Sequence, residues 1–237
     1  MGLEYAVRKI QGEHQVKLRP YIWMGIFLVI ALFASAPRTS ALPKPQTAKS
    51  AAVPTTGPAS FRKTIGSPSA PITMEIFGDF QCPACRNFFE LTVKQVIDDY
   101  VIPGKVYIVH HDFPLDVHPY ARQAARLANA AAQFGKFESI ERALYDHQEE
   151  WSAKGNIDEV IANSFPPAEF KKFQAYETAH MSEINASIDR DHALGMQRNV
   201  NQTPTVYITA NGKTEALPGG GVDYKLLKQY FDYLLRQ

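Results

Sequence analysis

Cysteine is almost absent from this chain of 237 residues: there are two, Cys82 and Cys85, three positions apart. That scarcity excludes a disulfide-stapled scaffold and a four-cysteine zinc site. A surplus of charge of one sign is lacking too. The formal net charge is +1 and divides unevenly: residues 1–60 hold seven Lys/Arg against two acidic residues, residues 61–237 hold eighteen against twenty-two. A mildly acidic body presents no electrostatic footprint for a phosphate backbone, so nucleic acid is not an expected partner. No internal repeat is present. With 45% hydrophobic and 21% charged residues, disordered and collagen-like classes fall away and a real core is affordable.

Long apolar runs are scarce, and the one that exists is at the amino terminus. After a basic segment, residues 1–19, an uncharged run extends from Pro20 to Pro37, bounded by Arg19 and Arg38. Its eighteen residues are near the minimum for crossing about 30 Å of hydrocarbon as a helix. The same run resembles a signal-peptide core, with Ala34-Ser35-Ala36 or Thr39-Ser40-Ala41 as cleavage candidates, although Pro37 argues against the first. Transmembrane anchor and removed signal both stay open. Either way the preceding basic residues keep the amino terminus in the cytoplasm and send everything after about residue 40 across the membrane. The expected location is the periplasm or cell exterior, inner-membrane-anchored or released. Residues 38–60, rich in Pro, Ala, Ser and Thr, read as an extended linker.

Residues 61–237 carry the folding signals. Ile72 to Phe77, Val106 to Val109 and Thr205 to Ala210 read as strands, and Asn211-Gly212 turns into a fourth at Lys213 to Leu217. A helical stripe follows Cys82 through Phe88, Phe89, Val93, Val96, Ile97 and Tyr100. From about 119 to 198 the signals are helical, with Ala121, Ala124, Ala125, Ala128 and Ala132 on one face and Trp151 in a loop. The last helix, with Asp223 as its cap, carries Leu226, Leu227, Tyr230, Phe231, Leu234 and Leu235. The order is β-α-β, a helical insertion, then β-β-α. It predicts an α/β fold with a mixed sheet.

Cys82-Pro83-Ala84-Cys85 stands at the first strand-to-helix turn. Pro83 suits the first helical position. Cys82 then faces free amide groups and the positive end of the helix dipole, which stabilise a thiolate. Cys85 follows one turn in, more buried and within disulfide reach. The pattern defines a redox pair of an exposed, acidified attacker and a resolving partner. Three plainer readings compete. Half of a zinc site needs two more ligands, for which His110, His111 and His118 are nearest. A purely structural disulfide closing so short a loop stabilises little. A cysteine-protease nucleophile needs no second cysteine.

Context extends the redox reading. Phe77-Gly78-Asp79-Phe80-Gln81 before the cysteines, Asp112-Phe113-Pro114-Leu115 with His118, and Thr203-Pro204-Thr205 before the third strand together resemble the DsbA-like thioredoxin-fold family. The likeness covers about residues 60–237, helical insertion included. It implies a thioredoxin fold and a thiol:disulfide oxidoreductase acting on cysteine-containing exported proteins and served by a membrane redox partner, with neither cofactor nor metal. By matching position it makes Cys82 the nucleophile, Cys85 the resolving cysteine, and Thr203 with cis-Pro204 a substrate-binding loop. Pro83 and Ala84 become the residues that tune the couple.

Two departures qualify the likeness. Ile76 stands where many thioredoxin-fold enzymes carry a buried acid, six residues before the first cysteine, and neighbouring Glu75 should face the other side of the sheet. Proton handling would then fall to water or to Glu75. The dipeptide Pro83-Ala84 also lacks a histidine able to stabilise the thiolate. His110, His111 and His118 read as satisfied or solvated side chains, and Asp79 as a turn-former. Phe77, Phe80, Phe88 and Phe89 read mostly as core. A dithiol oxidase is the leading expectation. A reductase or isomerase on the same scaffold is its rival, with a tethered peptide binder next. A thiol peroxidase is disfavoured because Arg86 should point along the helix.

Overall fold

Alternation of apolar and polar side chains sets the central strands of the computed structural model, which describes residues 61–237. The basic segment, the apolar run and the linker expected over residues 1–60 lie outside the described residues. Among the described residues, no helix is long and apolar enough to cross a membrane.

Strand β2 (Ile72–Gly78) leads into helix α1 (residues 83–101), which starts at Pro83 and passes through two π-helical stretches, Phe89–Val93 and Ile97–Val101. Strand β3 (Val106–Asp112) lies parallel to β2, with Ile76 opposite His110 and Gly78 opposite Asp112. Strand β4 (Thr205–Ala210) pairs antiparallel with β2, and β5 (Lys213–Ala216) antiparallel with β4. A two-residue β1 (Thr64–Ile65) adds to the far side of β3, giving the order β1-β3-β2-β4-β5. The mixed sheet and the β-α-β then β-β-α order agree with the sequence, and so does the helical block between β3 and β4. Strand β1 has no sequence signal. Two residues are too few to show a period of two.

The helical block consists of α2 (Ala121–Ala132), α3 (Phe137–Asp146), α4 (Gln148–Lys154), α5 (Ile157–Ala162), α6 (Pro167–Ala179) and α7 (Met181–Gln197). The alanine face of α2 is buried at Ala124, Ala125 and Ala128, where small side chains allow close helix contact. Trp151 corrects one expectation. It lies in α4 rather than in a loop, fully buried, with its indole N–H donated to the Leu144 carbonyl at 2.7 Å. Flanking Gly155 and a string of polar neighbours gave that short helix a loop-like composition.

The core has two parts, one on each side of the sheet. Met74, Ile76, Ile108, Val206 and Ile208 join α1, the helical block and the C-terminal α8 (Tyr224–Leu234), which Asp223 caps by accepting the Lys225 N–H. Tyr100 and Phe231 bring α1 and α8 together, with ring centroids 5.2 Å apart. Phe77, Phe113 and Val200 form the smaller part under α7. Contact there is so close that a Cβ at Gly195 would lie 2.6 Å from the Phe113 ring and 3.1 Å from Phe77. Gly195→Ala is therefore expected to lower unfolding free energy by about 1–3 kcal/mol in urea titration, although alanine alone favours helix by about 1 kcal/mol.

Candidate active site

The turn after β2 is held by one buried carboxylate. Asp79 Oδ1 accepts the Gln81 N–H at 2.7 Å, while Oδ2 accepts the Leu115 N–H at 2.9 Å and lies 2.7 Å from His118 Nδ1. Asp79 is thus the turn-former the sequence suggested, and it also ties the loop after β3 to the site. Gln148 of α4 donates from Nε2 to the carbonyls of Phe80 at 2.6 Å and Cys82 at 3.0 Å. Gln81 Oε1 accepts the Tyr120 N–H at 2.7 Å. The loop that carries the cysteines is therefore gripped from both the segment after β3 and the helical block.

Cys82 is the N-cap of α1, with extended backbone, and Pro83 takes the first helical position. Both thiols are free. The expected exposed attacker needs correction: Cys82 is only 7% exposed and Cys85 3%. The loop before β4 covers the first sulfur, placing the Thr203 carbonyl 3.5 Å from Cys82 Sγ, and the Thr203–Pro204 peptide bond is cis. Gly220 donates its N–H to the Pro204 carbonyl at 3.1 Å, steadying that loop from the other side.

The two thiols are electrostatically unlike. Cys82 is lowered from about 9 to about 5. The neighbouring Cys85 thiol is the chief cause; burial opposes it, and the Thr203 side chain and the backbone N–H groups of Cys85 and Ala84 reinforce it. Cys85 is pushed well above the ordinary thiol value, first by burial and then by hydrogen bonding with Cys82 and the charge there. At neutral pH this arrangement holds one thiolate at the surface side and one protonated thiol behind it. Such a pair is able to attack a disulfide, or in oxidised form to accept attack at Cys82.

The structure sorts the remaining candidates. Ile76 faces the Cys85 side, and Glu75 the opposite one, where it pairs with His111 at 3.0 Å and Arg198 at 3.0 Å. Glu75 is thereby removed as a proton acceptor for the thiols. The three histidines are not brought together. His111 stacks on Phe77 on the Glu75 face, His118 is held by Asp79, and His110 is buried next to Ile76. Among the described residues no group of three His, Cys, Asp or Glu is arranged to hold a metal. Arg86 turns outward to Glu149, with 2.5 Å between the charged atoms. An open groove of about 310 Å³ runs from Ala84, Phe88 and Leu91 to Gly221 and Val222. Leu91 stands exposed in it.

Sequence reasoning missed Glu141. It lies 3.2 Å from His110 Nδ1 and lines the same small cavity as Cys85. The available signal was its position: Phe137, Ile140 and Leu144 form the buried stripe of α3, and Glu141 falls on that stripe, where a charge is unusual.

Comparison with known proteins places these features in a wider group. Residues 61–217 match the family model described as thioredoxin. The chain is 24% identical over 157 residues to the probable disulfide bond formation protein D of Bacillus anthracis, covering 64% of this chain and 71% of that protein. It superposes on Wolbachia pipientis alpha-DsbA1 with a TM-score of 0.60 and 21% identity, covering 75% of this chain and 92% of the other. It also superposes on a thioredoxin-like oxidoreductase from Silicibacter pomeroyi with a TM-score of 0.59 and 25% identity, covering 73% and 92%.

Proposed function

The chain belongs to the thioredoxin family, and from that premise we propose that it is a DsbA-type thiol:disulfide oxidoreductase that donates disulfides to exported, cysteine-containing proteins. The observation that carries this reading is the polarised pair, with Cys82 lowered to about 5 and Cys85 raised behind it. Cys82 is the nucleophile and Cys85 the resolving cysteine. Thr203 and Pro204 present backbone to an extended substrate, while Pro83 and Ala84 set the helix start that acidifies Cys82.

In the donating direction a substrate thiolate attacks Cys82 Sγ of the disulfide. The Cys82–Cys85 bond breaks, a substrate–Cys82 bond forms, and Cys85 leaves and is protonated. A second substrate thiolate then attacks the substrate sulfur of that mixed disulfide, and Cys82 leaves as a thiolate. The substrate loses two electrons and the protein gains them. A membrane redox partner takes them back. The groove beside Ala84 suits an apolar side chain of the bound segment. Residues 20–37 act as an anchor or export signal that brings the domain to the extracytoplasmic side.

The direction of flow follows from acidity. A stabilised Cys82 thiolate favours the reduced protein and makes its disulfide a stronger oxidant. Within this fold, attacking thiols of about 7 and about 3.5 accompany potentials of about −270 and about −120 mV. A value of about 5 therefore predicts a potential of roughly −180 mV. Equilibration of the full chain with glutathione buffers, read by thiol alkylation, measures it. A potential below about −250 mV would defeat the oxidase reading and favour the reductase.

A further inference from the structure

Cys85 changes protonation state in every cycle, yet it is buried, with only 3% of its surface exposed. The position six residues before Cys82 is Ile76, which has no proton to exchange. Directly across the parallel ladder from Ile76 stands His110 on β3. Its Nδ1 lies 3.2 Å from the Glu141 carboxyl of α3, and its Nε2 is buried without a hydrogen-bond partner, 3.6 Å from Asp112. Ile76, Cys85, His110, Glu141, Tyr145 and Pro204 line one cavity of about 10 Å³, close to the room one water requires.

The other groups facing Cys85 are accounted for. Asp79 turns its N–H toward Cys85 Sγ at 3.5 Å, but its carboxyl is committed to Gln81, Leu115 and His118. Tyr145 is raised well above an ordinary phenol by burial and by the charges of Cys85, Glu141, Asp79 and Cys82, so it stays neutral. Cys82 is itself the reacting partner.

We propose that Glu141, held by His110, exchanges the Cys85 proton through the shared cavity during the thiol–disulfide exchange assigned above, a proposal that rests on that assignment. Sequence and sheet register thus move the ionisable group from β2 to the neighbouring strand and the helix above it. When the mixed disulfide resolves toward the protein, the Cys85 S–H bond breaks and its proton passes to Glu141. The Cys85 thiolate attacks Cys82 Sγ, the internal S–S bond forms, and the partner sulfur leaves with the electron pair. In the donating direction the same proton returns to Cys85 as it leaves Cys82. Burial alone pulls His110 down, but the nearby carboxylates of Asp112 and Glu141 outweigh it and raise His110 to about 9. His110 therefore stays protonated through neutral pH. Behind it Asp112, Lys63 and Asp191 continue the polar route to the surface.

Ellman's reagent separates the two steps in the reduced full chain, whose only thiols are Cys82 and Cys85. The first thionitrobenzoate release reports attack by Cys82, and the second reports resolution by Cys85. Glu141→Gln is expected to leave the first release within about twofold and to slow the second about a hundredfold at neutral pH, with partial recovery in Glu141→Asp. In the variant the second rate should climb about tenfold per pH unit as hydroxide takes over, whereas in the natural chain it should level off across neutral pH. A second release that is unchanged, or slowed with its pH profile intact, overturns the proposal. So does a natural chain whose second rate climbs tenfold per unit from about pH 5 to about pH 8, a result that needs no folded variant. Absence of the first release overturns the exchange assignment itself.

Discussion

Replacing Cys82 with serine is expected to abolish thiol–disulfide exchange, by at least about a thousandfold in insulin reduction or in oxidation of a dithiol peptide, because a neutral hydroxyl cannot substitute for the thiolate. Cys85→Ser should behave differently. It retains the attacking sulfur and should accumulate as a mixed disulfide on Cys82, visible by mass spectrometry. A protein that used this site only to bind peptides would lose nothing in either variant. The same thiolate predicts a pH dependence. Its folded value of about 5 lies below the ordinary 9, so its contribution to the reduced protein is complete above about 9. The contribution fades as pH falls and is gone below about 5. Denaturant titration of reduced against oxidised chain should show that relative loss on going from alkaline to acid pH, and Cys82→Ser should remove it.

The second large effect is on stability and lies behind the sulfurs. Asp112 is fully buried and accepts from Lys63 and from Asn129 Nδ2, the latter at 2.6 Å; Lys63 also pairs with Asp191. Asp112→Ala leaves Lys63, itself buried, with one carboxylate instead of two. Breaking a buried pair from one side costs about 3–5 kcal/mol, well beyond the net worth of the pair. Urea titration should show a loss of that size. The sign with pH is set by two opposed shifts. Asp112 is depressed: burial raises it, but the charges of Lys63 and His110 prevail. Its contribution is present above its unfolded value, near 4, and is lost in strong acid. His110, raised to about 9 from 6.5, contributes fully below 6.5 and loses its effect as pH rises through 9. The cost of Asp112→Ala should therefore be largest between about pH 4 and about 6.5, and should shrink toward alkaline pH.

How far the sequence foretold these sites depends on how local each interaction is. The strand at Ile72, the turn into Cys82-Pro83-Ala84-Cys85, the Thr205–Ala210 strand and the Asp223 cap are written in neighbouring residues, so pattern and turn chemistry reach them. The DsbA-like resemblance added Thr203-Pro204, whose place over Cys82 depends on a contact across 121 positions. Lys63 and Asp191 were beyond such reasoning. Each is an ordinary charged residue in its own neighbourhood, and becomes unusual only when the segment before β1 and helix α7 converge on Asp112 of β3. Glu75 shows the reverse: strand alternation alone placed it on the far face, where it meets Arg198 and His111.

The grip on the Cys82 turn bears on how the protein matures. The carbonyl of Cys82 receives the first helical bond from Arg86 and the side chain of Gln148, 66 positions downstream, while the sulfur meets Thr203 later still. Part of the acidity at that sulfur is therefore acquired late in biosynthesis. A chain still emerging, with Gln148 and Thr203 unmade, already carries Cys85 and the helix start beside Cys82 but lacks what Thr203 adds. The oxidant is fully armed only once its last strands have docked over the first sulfur.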